Sequence, residues 1–320
     1  MLYLAQGSRY RYGRHYINCE SVADVTFALS TKSGFPYVKY FLGIVVVFSS
    51  VFGGYYFHGG DLWVMWQPYE YWIIGGAALG AFLIANPPRV VITVFKSIPS
   101  LLKGSKYKAD DYLDLLALMY KLFTKARKEG LMGVENDIEE PENSELFQAH
   151  PRVMADHHAM EFITDYMRLI ISGSMNPHEL DALMDLDLET HHEESHKPAH
   201  AVHRVADALP GFGIVAAVLG IVMTMGKLDG SIEEIGSSVA AALVGSFLGI
   251  LLAYGFAGPT STALEARAQE EAKFLQCIKA CILANVQGYS PQVAVEFGRK
   301  TMEGAMRPSF TELEEHVKGA

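Results

Sequence analysis

Leu209–Met225 (LPGFGIVAAVLGIVMTM) and Ser238–Ala257 (SVAAALVGSFLGILLAYGFA) decide the fold. Crossing a bilayer core as a helix takes about 20 apolar residues at a rise of about 1.5 Å each. Both stretches approach that length without an Asp, Glu, Lys, Arg or His, so a buried helix of a soluble core explains them poorly. Phe41–Phe57 (FLGIVVVFSSVFGGYYF) and Tyr71–Ala85 (YWIIGGAALGAFLIA) have the same character. Tyr71–Ala85 is short, and for it a soluble core helix is a stronger rival. Together the four stretches predict an all-α polytopic membrane protein, with four transmembrane helices and a helical cytoplasmic domain.

Charge sets the orientation. The loop His58–Glu70 has no Lys or Arg, and the loop between the last two spans has only Lys227. After the second span come Arg89, Lys96, Lys103, Lys106 and Lys108. The positive-inside rule therefore puts both short loops outside and both termini in the cytoplasm. Trp63, Trp66, Tyr69 and Tyr71 cluster at the outer edge of the second span, as interfacial aromatics do. The implied organisation is a leader or mis-assigned start over 1–37, spans one and two over 38–86, and a cytoplasmic helical domain over 87–206. Spans three and four follow over 207–258, and a cytoplasmic helical tail over 259–320.

The whole-chain averages are consistent with this segregation: 50% hydrophobic residues beside a formal net charge of −10. The acidic balance and the lack of a dense basic stripe argue against nucleic acid as a partner. Cys19, Cys277 and Cys281 are too few for a disulfide framework. Arg9, Arg11 and Arg14 mark a leader with no apolar signal-peptide core.

The spans lack ionisable side chains, and an ion path through a membrane almost always uses one. Either the chain does not conduct, or a partner brings the carboxylate. Small residues recur in all four spans, among them Gly75, Gly76, Gly213, Ala216, Ala217, Gly220, Gly245 and Gly249. They let helix backbones approach closely, within one subunit and between subunits. Ser246 lies mid-span, with Thr224 near the outer end of the third helix and Tyr254 near the inner end of the fourth. Such hydroxyls usually bond their own backbone. Pro210 opens the third span and Pro259 closes the fourth, both readable as helix punctuation.

In the cytoplasmic part, Asp110–Glu129 reads as an amphipathic helix through Leu113, Leu116, Leu118, Met119, Leu122 and Phe123, stopped by Gly130. Further helices are expected over Met160–Ser172, from Asn176 to about Thr190, and over Leu264–Val286. No Walker loop, dinucleotide fingerprint or nucleophile motif occurs, so an enzyme is not expected. His192, His196 and His200 recur every four residues, but Pro198 interrupts that helix and the surroundings look solvated, so no metal site is assigned. Cys277 and Cys281 read as core residues. Lys121, Lys125, Arg127 and Lys128 precede Glu129, Glu135, Asp137, Glu139 and Glu140. This is a solvated surface, or a pattern that steers a partner of complementary charge.

Several strings carry a resemblance: Lys106–Leu122, Met167–Asp185, Leu209–Val222, Ala242–Phe256 and Val295–Val317. In these the chain resembles the MotA family of flagellar stator subunits, within the wider MotA/TolQ/ExbB proton channels. The similarity runs from about Val38 to Val317, leaving Val38 as a natural start at a non-AUG codon. The resemblance implies a ring of five subunits in the bacterial inner membrane around a MotB-like partner that supplies the ion-binding aspartate. It implies a lipid bilayer and the rotor protein FliG as further partners. Arg127 and Glu135 match the rotor-contacting charges, and Pro210 and Pro259 match prolines tied to ion-driven conformational change. Sodium-type relatives carry threonine at the positions of Ala217 and Ser246. Alanine has no side-chain oxygen to cage Na⁺, so H⁺ is the expected coupling ion, with no other cofactor. Ser246 departs from the threonine usual in both sodium and proton types, keeping the hydroxyl and losing a methyl. The rivals are an ExbB- or TolQ-like energiser, whose span number and loop order differ, and a non-conducting scaffold or metal-responsive sensor using the histidines.

Overall fold

A computed structural model describes residues 36–102, 104–226, 231–304 and 306–319. The leader expected over 1–37 falls almost wholly outside these residues, as do Lys103 and Lys227. The principal helices are α1 (Pro36–Phe57), α2 (Pro68–Ala85), α3 (Pro88–Leu101), α4 (Ala109–Glu129) and α5 (His157–Ile171). They are followed by α6 (Pro177–Met225), α7 (Ile232–Leu252), α8 (Gly258–Val286), α9 (Pro291–Thr301) and α10 (Phe310–Gly319). No strand occurs among the described residues.

Among the described residues three helical stretches are long and apolar enough to cross a membrane: α1, α6, and the rod from Ile232 to Val286 that contains α7 and α8. The fourth expected span corresponds to α2, an 18-residue helix whose first turn carries Glu70.

The prolines depart from their expected roles. A helix was expected to end near Thr190, to be broken at Pro198, and to restart at Pro210. Instead α6 is one helix of 49 residues with Pro198 and Pro210 inside it, about 75 Å long. Each internal proline removes a backbone hydrogen bond and presses on the preceding turn, a cost of about 3 kcal/mol. Tertiary packing offsets it. Around Pro198, the buried Ala199, Ala201 and Val202 pack on Phe82, Val94, Leu101 and Leu264, and Ser261 Oγ donates to Ala199 O at 2.9 Å. The C-terminal rod also continues where Pro259 was expected to close it. A π-helical turn over Ala253–Ala257 joins α7 to α8, with the Gly258 N–H bonded to Ala253 O, five residues back. Pro259 follows in the first turn of α8, where the widened turn relieves the clash its ring would otherwise make.

The rest of α6 and α8 joins α4, α5, α9 and α10 in a globular domain. Its core holds Leu115, Leu116, Leu118, Met119, Leu122, Phe123, Phe147, Ile163, Met167, Phe274, Ile278 and Ile282, with the apolar stripe of α4 inward as its periodicity requires. Gly130 ends α4 at φ +82°, a conformation costly for side-chain-bearing residues. Asn176 caps α6, its side chain accepting from His178 N and Glu179 N at 3.0 Å each. Cys277 and Cys281 are fully buried, as expected. α6 and the α7–α8 rod are therefore continuous between the apolar helices and this domain.

Candidate functional site

Three of the four expected ion-path residues, Pro210, Ala217 and Ser246, lie on α6 and α7 near where the two helices cross. The crossing is backbone against backbone. A Cβ built on Gly213 would lie 2.9 Å from Gly245 O and 3.0 Å from Gly249 Cα, and one on Gly249 would lie 2.7 Å from Leu209 O. Gly220 meets Ala242 in the same way. The small residues read from the sequence thus have a specific use: nothing larger than hydrogen fits at these three glycines without displacing a helix.

Ala217 is 8% exposed and lies on this seam; its backbone N is 3.4 Å from a Cβ built on Gly245. Ser246, the next residue on α7, is half-buried. Thr224 follows the ordinary pattern for a membrane hydroxyl, donating to Gly220 O at 2.8 Å. Pro210 sits one residue after Leu209, whose carbonyl faces Gly249. Pro210 and Ala217 thus lie along the α6 side of the seam, and Ser246 follows the seam residue Gly245 on α7. Pro259 is exposed beyond the π turn.

One residue of this seam was missed. The sequence reading left the apolar spans without any ionisable group, because Glu70 stands just before Tyr71–Ala85. The structure places Glu70 inside α2, packed against the seam. Glu70 is 8% exposed, and its Oε2 is buried without a hydrogen-bond partner. A Cβ on Gly245 would lie 2.8 Å from that oxygen and 3.2 Å from Ala216 Cβ. The carboxyl thus points from the first turn of α2 into the α6–α7 seam beside Ala217. α2 begins short of the C-terminal end of α6: Ala217 is eight residues before that end, about 12 Å along the axis. The signal available in the sequence was the register of Glu70 itself, four residues before Ile74, a fully buried residue of the same helix face.

Arg127 and Glu135 lie apart from the seam, in the globular domain. Arg127 is exposed in the last turn of α4, and Glu135 opens a short helix over Glu135–Glu139. Nearby charges are committed: Lys125 Nζ pairs with Asp137 at 2.6 Å and Arg168 Nε with Glu139 at 2.9 Å. Arg127 and Glu135 have no ion-pair partner among the described residues.

Interior polar pairs serve the fold instead. Tyr107 donates to Asp156 at 2.5 Å while Lys106 lies 3.2 Å from the same carboxylate. Burial works against the charged carboxylate, but these partners hold Asp156 below its usual range. Lys279 is clamped by Asp181 and Asp185 at 2.6 Å each.

The histidines differ from expectation, because Pro198 does not break their helix. His192 and His196 rings approach to 4.1 Å, and His196 is buried with Nε2 unpartnered. A different trio, His158, His191 and Glu271, has ligand atoms within 4.8 Å of one another. Lys106 already occupies Glu271, at 3.1 Å.

Comparison with known proteins fits this architecture. Residues 41–130 match the motility protein A N-terminal model, and residues 154–276 the MotA/TolQ/ExbB proton channel family. Motility protein A of Salmonella typhimurium is 50% identical over 277 residues, covering 87% of this chain and 94% of that protein. The chain belongs to the motility protein A family. Motility protein A of Escherichia coli is 49% identical with the same coverage. Chemotaxis protein LafT of Vibrio parahaemolyticus is 40% identical, over 86% of this chain and 96% of LafT. The fold is shared with the C. jejuni MotAB structure (TM-score 0.69, 19% identity, 83% of this chain and 96% of that one). It is shared also with the flagellar MotAB stator complex of Bacillus subtilis (TM-score 0.65, 20% identity, 86% and 97%). The chain is accordingly a membrane protein and a stator subunit of the flagellar motor. The family favours this reading over an energiser or a scaffold.

Proposed function

We propose that the chain works as the ion-conducting, ring-forming half of a proton-driven stator in the bacterial inner membrane. Four helices span the bilayer, α2 being the fourth, with both termini in the cytoplasm and the domain boundaries read from the sequence. The ring, a pentamer by family resemblance, surrounds a MotB-like partner whose aspartate binds the ion. The observation that carries the proton assignment is Ala217 on the α6–α7 seam. That position offers backbone and a methyl group where a sodium cage would need a side-chain oxygen.

The mechanism follows from the seam and the continuity of its helices. Proton binding to the partner's aspartate removes a charge beside the ring and releases a local contact near Pro210 and Ser246. Pro210 leaves the Ala206 carbonyl without its usual helical donor; Pro198 does the same to its own turn but is buried, so the freer bend of α6 lies at Pro210. The π turn before Pro259 gives the adjoining rod a second compliant point. A bend at either reaches the globular domain because both helices run into it unbroken. That domain then presses on FliG through Arg127 and Glu135, which have no ion-pair partner among the described residues. The driving energy is about 2.3 kcal/mol per elementary charge per 100 mV of membrane potential. No enzymatic chemistry and no cofactor beyond H⁺ belong to this reading.

The test is rotation in a deletion strain complemented by this chain and its partner. Sodium-independent rotation that an uncoupler abolishes is expected. A requirement for sodium overturns the ion assignment, and unchanged rotation on losing the chain overturns the function. A Pro210→Ala variant with normal flux, assembly and motility would remove the proposed hinge.

A further inference from the structure

We infer that Glu70 is a proton-binding site contributed by the ring itself, placed on the outer approach to Ala217 and Ser246. This rests on the proton-driven stator reading and adds to it a second carboxyl besides the partner's aspartate.

Glu70 occupies the third position of α2, where a glutamate ordinarily reaches back to the N–H of the residue before the helix. That residue is Gln67, and α2 has no side-chain cap. The side chain turns inward instead and leaves Oε2 buried without a partner. An unsatisfied buried carboxyl oxygen costs stability, and an alanine or leucine would avoid that cost. Glycine at position 245 makes the room, since a methyl there would fall within 2.8 Å of Oε2.

The surroundings give this carboxyl a reason to exchange a proton. Burial among Ala216, Ala217 and Gly245 favours the neutral acid. The positive end of the α2 dipole and its uncapped N–H groups favour the carboxylate. Among the described residues no charged side chain decides between them; Asp61, ahead of the short turn that Tyr71 bonds at Met65, is exposed and accepts from Trp63 N. Among the elements packed against α2, α6 carries no ionisable residue beyond Asp207, which is exposed at 71% on its side chain. α7 carries only Glu233 and Glu234 in its first turn, and α3 only Arg89 and Lys96; all four are exposed. In the transfer, a hydronium from the outer water gives its proton to Oε2, an O–H bond forms and water remains. That O–H bond breaks when the proton passes to the partner's carboxylate, directly or through water, and restores the Glu70 carboxylate.

The experiment uses the full complex in cells, with external pH stepped from neutral to acid, and compares wild type, Glu70→Gln, Glu70→Asp and Gly245→Ala. Tagged subunits at the motor report assembly, and bead rotation at low load reports ion flux. Glu70→Gln keeps the shape but cannot carry the proton, so it should assemble and lose about tenfold or more in flux-limited speed. This is less than the about 10²–10⁴ that a positioned acid–base group can contribute, because water remains a poorer carrier. Its speed should no longer follow external pH. Glu70→Asp should restore part of both, and Gly245→Ala, which crowds the carboxyl, should fall between. Should Glu70→Gln fail to assemble, infrared difference spectra of the purified complex decide: a protonated-carboxyl band that appears with acid and moves in Glu70→Asp supports the site, and a spectrum the substitution leaves unchanged overturns it. Wild-type speed and pH response in Glu70→Gln also overturn the site and leave the proton stator standing. A wild-type motor that needs sodium overturns both.

Discussion

The α6–α7 seam and the core around α4 are built from opposite materials. At the seam, Gly213, Gly220, Gly245 and Gly249 bring backbones together, and large side chains point away: Ile214, Val218 and Val222 are 60%, 52% and 62% exposed. In the globular domain, Leu115, Leu116, Leu118, Leu122 and Phe123 are fully enclosed, and ion pairs close the periphery. One region hides its backbone and shows its apolar side chains; the other does the reverse. Burial of apolar area, worth about 25 cal/mol per Å², holds the globular domain together as a unit in water. In lipid that force is missing between helices, and close packing of small residues takes its place. The protomer's apolar half therefore reads as one part of a larger assembly. α1 illustrates this: it meets the rest through few contacts, among them Phe48–Phe256 at 5.1 Å and a hydrogen bond between the Tyr40 and Thr260 hydroxyls, and its apolar window has no buried residue.

The largest expected effect comes from filling the seam. Gly213→Leu would put a side chain into Gly245 O and Gly249 Cα, backbone atoms that move only with their helix. Overpacking costs about 1–3 kcal/mol where side chains can yield, and here they cannot. Loss of complex assembly and of swimming is expected, scored by co-purification of the partner. Gly76→Leu on α2, with nothing within 4 Å inside the protomer, should leave the protomer's fold and membrane level unchanged. If both glycines behave alike, the seam is not the organising contact.

Next in size is a deletion in the other material. Leu118→Ala empties a fully buried position and should cost about 2–5 kcal/mol. Melting of the purified complex should fall, and swimming should become temperature-sensitive while flux at low temperature persists. A membrane-side loss of flux at all temperatures would mean that the two regions are not separable in this way.

How far these regions were legible in the sequence follows from the same contrast. α4 could be read almost to the residue, because an amphipathic stripe in water encodes its own buried face and Gly130 its stop. α6 and α7 were legible as spans through their uncharged apolar runs. Their lengths were not, because Pro198, Pro210 and Pro259 read locally as boundaries. Only tertiary contacts, with Leu101, Leu264 and Gly249 among them, show that the helices continue. Glu70 was missed for a related reason. A charge at the edge of an apolar run normally marks the membrane surface, whereas here the depth of α2 is set by its packing on α6. The roles of Ala217 and Ser246 came from family resemblance, and the structure adds that Ala217 faces Gly245, the residue before Ser246.

A smaller effect is expected from acid. Burial holds His191 below the ordinary imidazole range and outweighs the neighbouring Glu271, which raises it. Burial and His192 do the same to His196. The unfolded chain therefore binds protons that the folded domain refuses. This stability is complete above the unfolded value of about 6.5 and is lost as pH falls through it toward the folded values. Melting temperature should drop over that interval, and His196→Gln, which cannot charge, should flatten the drop. An unchanged slope in that variant would remove His196 from the cause.

The smallest effect on stability is expected at Arg127, which belongs to neither material. It is exposed, outside the core, and unpaired among the described residues, so Arg127→Glu should change stability by no more than about 0.5 kcal/mol. Lys125→Glu, which breaks a 2.6 Å pair and sets two carboxylates together, should cost more, about 1 kcal/mol. Motor function should order the two oppositely. A charge held ready for an external partner matters through that partner, so Arg127→Glu should lower torque at normal stator occupancy, and Lys125→Glu should do so only to the extent that it unfolds the domain. Bead assays at high load, with tagged stators counted at each motor, separate the two. Should Arg127→Glu rotate normally at full load, the exposed end of α4 is a solvated surface, and the push on the rotor must be sought elsewhere on the globular domain.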